Sequence, residues 1–339
     1  MKPILGWDIG GANLKAVRVE GRPPRVDAVV ERPFALWREP RRLREMLRCI
    51  GAEAGAATTM AVTLTAELAD CFASKREGVG FVLDALEAAF PRAGLRVFGV
   101  DGRFRSVDAA RAHPLRVAAA NWRATAELVA RDEPSCVLLD VGSTTSDLIP
   151  ILDGRVAALG LTDPHRLATG ELVFTGALRT PVCAITRSLP HRGRRCRVAA
   201  EWFAIAADAH RWLGSLEEAA YTCDTPDGRG RSRHESGARL ARMIAADLEL
   251  LDEADVTAIA SAVASAQVRE IASGLRQVLG RLGRRAPRIA VLAGQGAFLA
   301  RAAAERVGLV ARCIAFPAPA ARAAPAAAVA LLLAMRLRP

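Results

Sequence analysis

The sequence predicts an α/β protein of two domains, and three observations carry that expectation. The first is the opening: apolar Pro3-Ile4-Leu5-Gly6-Trp7, then Asp8-Ile9-Gly10-Gly11-Ala12-Asn13-Leu14-Lys15, then alternating Ala16-Val17-Arg18-Val19-Glu20. Such a pattern is a strand, a glycine turn and a returning strand, with an acid at the end of the first strand. The second is a copy of it, Ser135-Cys136-Val137-Leu138-Leu139 followed by Asp140-Val141-Gly142-Ser143-Thr144-Thr145-Ser146-Asp147. The third is the alternation of strand and helix patterns after each copy. Asp132-Glu133-Pro134, polar and ending in a helix-stopping proline, gives the boundary, so the expected domains are 1–132 and 133–339.

Taken in order, Pro40 to Gly51 spaces Leu43, Met46, Leu47 and Ile50 on one helical face, with arginines opposite. Thr59–Thr65 has the composition of a buried strand, which places Glu67 and Asp70 just past its end. A helix over Gly80–Phe90, a strand over Leu95–Asp101 and a long helix over Leu115–Arg131 complete the first domain. In the second, strands are expected at 135–141, 147–152 and 154–159, then a turn-rich stretch at Thr169–Pro181. Residues 186–197 form a basic loop, 199–213 a helix and 223–233 a polar loop. Helices follow over 235–250 and 255–282, and Arg288–Ala293 is a last core strand ending in Gly294-Gln295-Gly296-Ala297. Ala323 to Met335 is a buried terminal helix, too short for a membrane span of about 20 residues.

Composition narrows the class. At 339 residues, with 51% hydrophobic and 24% charged residues, the chain has ordinary globular proportions and room for two cores. The net charge of +11 resembles a nucleic-acid signal, but only Lys2, Lys15 and Lys75 of the 47 basic residues are lysine. Arginine replacing lysine throughout, with no aromatic interleaving, indicates compositional bias and argues against nucleic acid as a partner. Lys15, surviving that bias inside the opening motif, is either placed to meet a phosphate or an exposed lysine on a strand. Seven scattered cysteines without a CxxC pair fit reduced thiols in a cytoplasm. No signal peptide and no membrane partner are expected; homo-oligomerisation stays open.

Two acid–glycine–hydroxyl turns suit a polyphosphate. Gly10, Gly11 and Gly142 let backbone amides approach phosphate oxygens, and Ser143, Thr144 and Thr145 add hydroxyls. Asp8, Asp140 and Asp147 would repel phosphate unless Mg²⁺ lies between, held by one or two carboxylates through water. Lys75 and Arg179 are further candidates for an anion, and Asn121-Trp122 for an aromatic wall beside an amide. Asp224, Asp227 and Arg229 lie in a loop placed to close over a substrate, the default alternative being solvated loop charges. Asp208 and His210 carry no assignment, and His113, His165, His191 and His234 are isolated, with nothing arguing for a metal among them.

The three turns together resemble the actin, sugar-kinase and Hsp70 superfamily. That resemblance implies a two-domain ribonuclease H-like α/β fold with its active site in the interdomain cleft: Asp8–Lys15 as the first phosphate turn, Asp140–Asp147 as the second, and Gly294 and Gly296 in the third. Trp7–Asn13, Thr65–Asp70, Ala120-Asn121-Trp122, Asp140–Asp147 and Thr175–Pro181 further resemble the hydantoinase/oxoprolinase-like proteins linked to tetrahydromethanopterin one-carbon transfer, among them the methanofuran-biosynthesis synthases. The resemblance implies a synthase that joins an aminomethylfuran diphosphate to the phenol oxygen of a γ-glutamyl-tyramine or tyrosine-derived acceptor and releases pyrophosphate. Asp8, Asp140 and Asp147 would hold Mg²⁺, with Gly10, Gly11, Asn13, Lys15, Gly142, Ser143, Thr144, Thr145 and Arg179 around the diphosphate. Glu67 is the candidate general base and Asp70 the second, the alternative for Glu67 being a helix cap. An ATP-dependent small-molecule kinase, hydantoin or oxoproline hydrolysis, and a non-enzymatic sensor remain the alternatives.

Overall fold

The computed structural model describes residues 2–314, 316 and 318–337. The chain opens with β1 (Ile4–Gly10), β2 (Asn13–Glu20) and β3 (Arg25–Pro33), followed by α1 (Leu43–Ala54), β4 (Thr59–Thr65) and α2 (Lys75–Ala89). Then come β5 (Gly94–Phe98), β6 (Phe104–Arg105), α3 (Val107–Ala112) and α4 (Asn121–Asp132). The second glycine motif supplies β7 (Cys136–Val141) and β8 (Ser146–Leu152), with β9 (Arg155–Val156), α5 (Asp163–Ala168), β10 (Leu172–Val173) and α6 (Val182–Ile185) after them. A hairpin of β11 (Ser188–His191) and β12 (Arg194–Arg197) precedes α7 (Ala206–Trp212), α8 (Arg233–Arg242) and α9 (Glu253–Leu282). The chain closes with β13 (Ile289–Ala293), α10 (Ala297–Arg306), β14 (Val310–Cys313), α11 (Ala318–Arg322) and α12 (Ala324–Arg336).

These elements form two compact units. One comprises 1–136, 149–165 and 314–339, and the other 137–148 and 166–313. The boundary signal at residues 132–134 falls beside the first crossing, while the returns at 149 and 314 carry no compositional mark. In the first unit the sheet order is β3-β2-β1-β4-β5-β6, antiparallel across the opening hairpin and parallel at β1/β4 and β4/β5. In the second it is β10-β8-β7-β13-β14, with β7/β13 and β13/β14 parallel. Each glycine hairpin therefore heads an equivalent sheet, the structural repeat the sequence predicts.

Alternate residues of β1 face opposite sides of the first sheet, and both sides are buried. Leu5, Trp7 and Ile9 are buried toward α1 and α2, where Leu43, Leu47, Ile50 and Ala54 form one helical stripe and Phe90 meets Trp7 at 5.6 Å between rings. Gly6 points to the other face, and α12 presses on it: a β-carbon there would lie 2.1 Å from Ala326 O and 2.8 Å from Ala330 Cβ. The alanine-rich terminal helix is buried for this reason. Gly6→Ala must push α12 off the sheet and is expected to cost about 1–3 kcal/mol, read as a lowered urea midpoint with the slope unchanged.

Several expectations are corrected. The loop expected at 186–197 is the β11–β12 hairpin, closed by Arg192 and Gly193 at φ 45° and 76°, a two-residue turn matched to strand twist. The helix expected over Gly80–Phe90 begins earlier, at Lys75, because Ser74 Oγ accepts from Glu77 N at 3.2 Å and caps it. The helix expected over 115–131 is helical from Asn121 only, and those over 199–213 and 235–250 shorten to α7 and α8. The third strand expected at 154–159 reduces to Arg155–Val156, and β3 and β14 are strands the hydrophobic pattern left unmarked.

Candidate active site

The first turn is Gly11-Ala12, between β1 and β2. Strand register puts Thr63 and Lys15 on either side of Asp8, and Glu31 beyond Lys15, in one cross-strand row. Gly10 has no unusual φ; a β-carbon there would be a tight fit, 3.0 Å from Asn13 O and 3.3 Å from Thr65 Oγ1. The nearest atom to a β-carbon at Gly11 is at an ordinary 3.8 Å. Leu36 N donates to Gly11 O and Phe34 N to Ala12 O, both at 2.9 Å. Both carbonyl oxygens of the turn are thus taken up by the segment that follows β3. Lys15 Nζ donates to Arg322 O at 2.7 Å and lies 3.6 Å from Glu31 Oε1, so a phosphate must compete with both for it.

Glu67 lies beyond β4 and is only 2% exposed. Its Oε1 is 3.7 Å from Lys75 Nζ, which also pairs with Asp163 Oδ2 at 2.5 Å. Its Oε2 is buried without a hydrogen-bond partner. Burial raises the Glu67 pKa to about 7; the backbone amide of Glu67, the Lys75 ammonium and the Ala119 amide pull it down, and Asp163 pushes it up. Two backbone features support the carboxyl. Ala119 sits at φ 49°, a conformation a non-glycine residue keeps only under local constraint, and a β-carbon on Gly78 of α2 would come 2.5 Å from Glu67 O. Ser74 caps α2, so the cap role weighed for Glu67 belongs to another residue. Asp70 is exposed, unlike Glu67. Sequence reasoning missed Asp163, Gly78 and Ala119, which reach Glu67 only through the fold.

The second turn, Gly142–Thr145, is built alike. Gly142 N donates to Thr145 O, Ala177 N to Gly142 O, and Leu178 N and Arg179 N to Ser143 O, at 2.9–3.1 Å. Ser143 Oγ and Thr144 Oγ1 are 3.3 Å apart. Gly176 lies directly against the turn, where a β-carbon would stand 2.5 Å from Thr144 N. The third turn joins the second: Gly296 N donates to Val141 O at 2.8 Å, and Gly294, at φ 80°, leaves only 2.5 Å between an added β-carbon and Asp140 Oδ1. The two glycine turns of the second unit thus meet at the end of β7, beside the Asp140 carboxyl.

The three carboxylates expected to bind Mg²⁺ differ in setting. Asp147 Oδ1 accepts from the buried Arg166 Nη2 at 2.5 Å, so its charge already answers that guanidinium. Asp8 and Asp140 are nearly buried, each close to the end of its strand, β1 and β7. Among the described residues no three His, Cys, Asp or Glu gather as a metal cluster. Asp208 is a buried counter-ion: Arg239 Nε at 2.8 Å and Tyr221 Oη at 3.0 Å donate to Oδ1, and Ile205 N at 3.0 Å to Oδ2. Asp227, expected to be solvated, accepts from Arg239 Nη1 at 3.0 Å and is 3.4 Å from Arg242. Trp122 is buried on α4, as a helical tryptophan ordinarily is. All seven cysteines are free, and no helix among the described residues is long and apolar enough to cross a membrane.

Two unit sheets each headed by a glycine turn, a buried carboxyl beyond β4 and a glycine turn closing on Asp140 define a class. The hydantoinase/oxoprolinase family model matches residues 58–336, and the chain belongs to that family. Within it, a Methanocaldococcus jannaschii protein named (4-{4-[2-(gamma-L-glutamylamino)ethyl]phenoxymethyl}furan-2-yl)methanamine synthase is 40% identical over 251 residues, 74% of each chain. A Methanococcus vannielii protein of the same name is 39% identical over 124 residues, covering 36% of this chain and 55% of that one. Among solved structures, nucleotide-free acetone carboxylase superposes with a TM-score of 0.54 at 12% identity, over 96% of this chain and 70% of that one. The PilM–PilN type IV pilus biogenesis complex gives 0.50 at 16% identity over 99% of both. These likenesses are of fold, and the fold is the actin/sugar-kinase/Hsp70-like α/β architecture.

Proposed function

We propose that this protein is a synthase of methanofuran-type cofactor biosynthesis, a transferase that condenses an aminomethylfuran diphosphate with a phenolic acceptor of the γ-glutamyl-tyramine or tyrosine type. The observation that carries the reading is Glu67: a buried carboxyl with an unpartnered oxygen and a pKa raised to about 7, suited to accepting a phenolic proton. The named synthases that share the family support the substrate class. The furfuryl carbon–oxygen bond to diphosphate breaks as the phenol oxygen bonds to that carbon, and the phenolic proton passes to Glu67. Amides of the Gly10–Asn13 turn and of Ser143–Thr145, the Ser143, Thr144 and Thr145 hydroxyls and Arg179 hold the leaving diphosphate. Asp8 and Asp140 would hold Mg²⁺, which when bound offsets charge on the leaving group. The protein acts in the cytoplasm, on small molecules.

The test is a substrate-pair assay with pyrophosphate detection. Pyrophosphate is expected only when furan diphosphate and phenol are both present, without ATP, and Asp8→Asn is expected to lower its release by about 10²-fold or more through loss of charge stabilisation. ADP formation coupled to phosphorylation of a small molecule would replace this reading with that of a kinase.

A further inference from the structure

We infer that Gln267 is a positioning residue that sets the Gly142–Thr145 turn for anion binding; the inference rests on that turn holding the diphosphate. Gln267 is a fully buried amide in the middle of α9, among positions that are otherwise apolar. Its Nε2 donates to Thr175 Oγ1 at 2.8 Å and to Gly176 O at 2.9 Å. A carbonyl only accepts, so the amide cannot be flipped, and Oε1 must face His210 Nε2 at 2.8 Å. That contact makes His210 the Nε2–H tautomer. Burial keeps the ring neutral by lowering its pKa to about 4, and Phe298 packs against it with ring centroids 4.8 Å apart. Every hydrogen-bonding atom of the Gln267 amide is committed, which fixes it in the core.

The load it holds is Thr175-Gly176. Ser146 Oγ donates to Thr175 O at 2.7 Å, and Thr180 Oγ1 accepts from Gly176 N at 3.0 Å. Gly176 in turn lies so close to Ser143 and Thr144 that no β-carbon fits between them. The next three amides, from Ala177 to Arg179, bond the oxygens of Gly142 and Ser143. A displacement at Gly176 is therefore transmitted to the turn and to Arg179 as a unit, because close-packed backbone has nowhere else to move. A helix-core glutamine whose partners among the described residues are a neutral histidine and this segment has the form of a support for the turn.

The test is calorimetric titration of the full chain with inorganic pyrophosphate and Mg²⁺. Gln267→Met and Thr175→Val are each expected to weaken binding about tenfold, the value of one lost buried hydrogen bond. The double variant should be no weaker than either single, since both break one chain of contacts. Thr175→Ser, which keeps the hydroxyl, should bind within about twofold of wild type. Binding within about twofold of wild type in Gln267→Met and Thr175→Val overturns the inference whatever happens to the melting temperature, since structural support alone would move only the latter. If Gln267→Met fails to fold, the Thr175→Val and Thr175→Ser pair decides by itself. Wild-type protein that binds no pyrophosphate overturns the diphosphate reading together with this one; normal wild-type binding with unaffected variants removes only the role of Gln267.

Discussion

Glu67→Gln is expected to lower kcat for pyrophosphate release by about 10²–10⁴-fold while pyrophosphate still binds, because the variant loses a proton acceptor and nothing that holds the anion. In the wild type, activity should fall as pH drops through about 7, where Glu67 takes up its proton. Stability runs the opposite way. The folded-state pKa lies above the ordinary 4.5, so the folded protein binds more protons between pH 4.5 and 7 and loses stability as pH rises through that window. The shift corresponds to about 3 kcal/mol, which the ionised carboxylate costs the fold at pH 8. Glu67→Gln should therefore melt above wild type at pH 8 and show no such advantage at pH 4. A variant that is inactive and also less stable at pH 8 would make Glu67 a structural residue. The opposed signs are what separate the two roles.

Arg239→Met is expected to destabilise the protein by about 3–5 kcal/mol, the cost of leaving a buried carboxylate without its partner. Arg239 and Asp208 are both fully buried, and the same guanidinium reaches Asp227 Oδ1 and Gly230 O at 3.0 Å. One side chain thus closes the 223–232 loop onto α7 and α8. Thermal unfolding by circular dichroism gives the measurement, and protease sensitivity of the loop gives a second readout. Replacing Asp208 and Arg239 together by apolar residues should restore much of the loss, since no uncompensated charge then remains buried. An Arg239→Met protein within about 1 kcal/mol of wild type would show that Asp208 is neutral in the folded state.

Fold class and the two principal turns are legible in the sequence because each depends on a local pattern: an apolar strand, an acid at its end, and glycine where backbone approaches backbone. Glu67 is legible as a position, since a strand end followed by an acid is visible in Thr59–Asp70. Its chemistry is not, because that arises from burial under α2 and from Lys75, Asp163 and Ala119, which come together only in the folded unit. Asp147 shows the converse. In sequence it is one more carboxylate of a DxGSTTSD motif, and Arg166 claims it through a contact 19 residues away that no periodicity announces. Asp227 and Arg239 were likewise hidden, since loop charges are solvated by default and only tertiary structure shows which are not. Gln267 left one faint signal, a lone amide on the apolar face of a long helix. Hairpin β11–β12 escaped because arginines replaced the β-branched residues that mark a strand.

The seating of α12 on β1 has a kinetic consequence. Gly6 meets Ala326 and Ala330 across almost the whole length of the chain, so the first unit's sheet cannot bury its Gly6 face until the last helix is available. Loop closure on that scale is slow, and contacts so distant in sequence form late in folding. During synthesis the second unit has all its strands and helices before the first can finish. The nascent first sheet must therefore wait with its Gly6 face uncovered, the kind of transiently exposed apolar surface that favours aggregation.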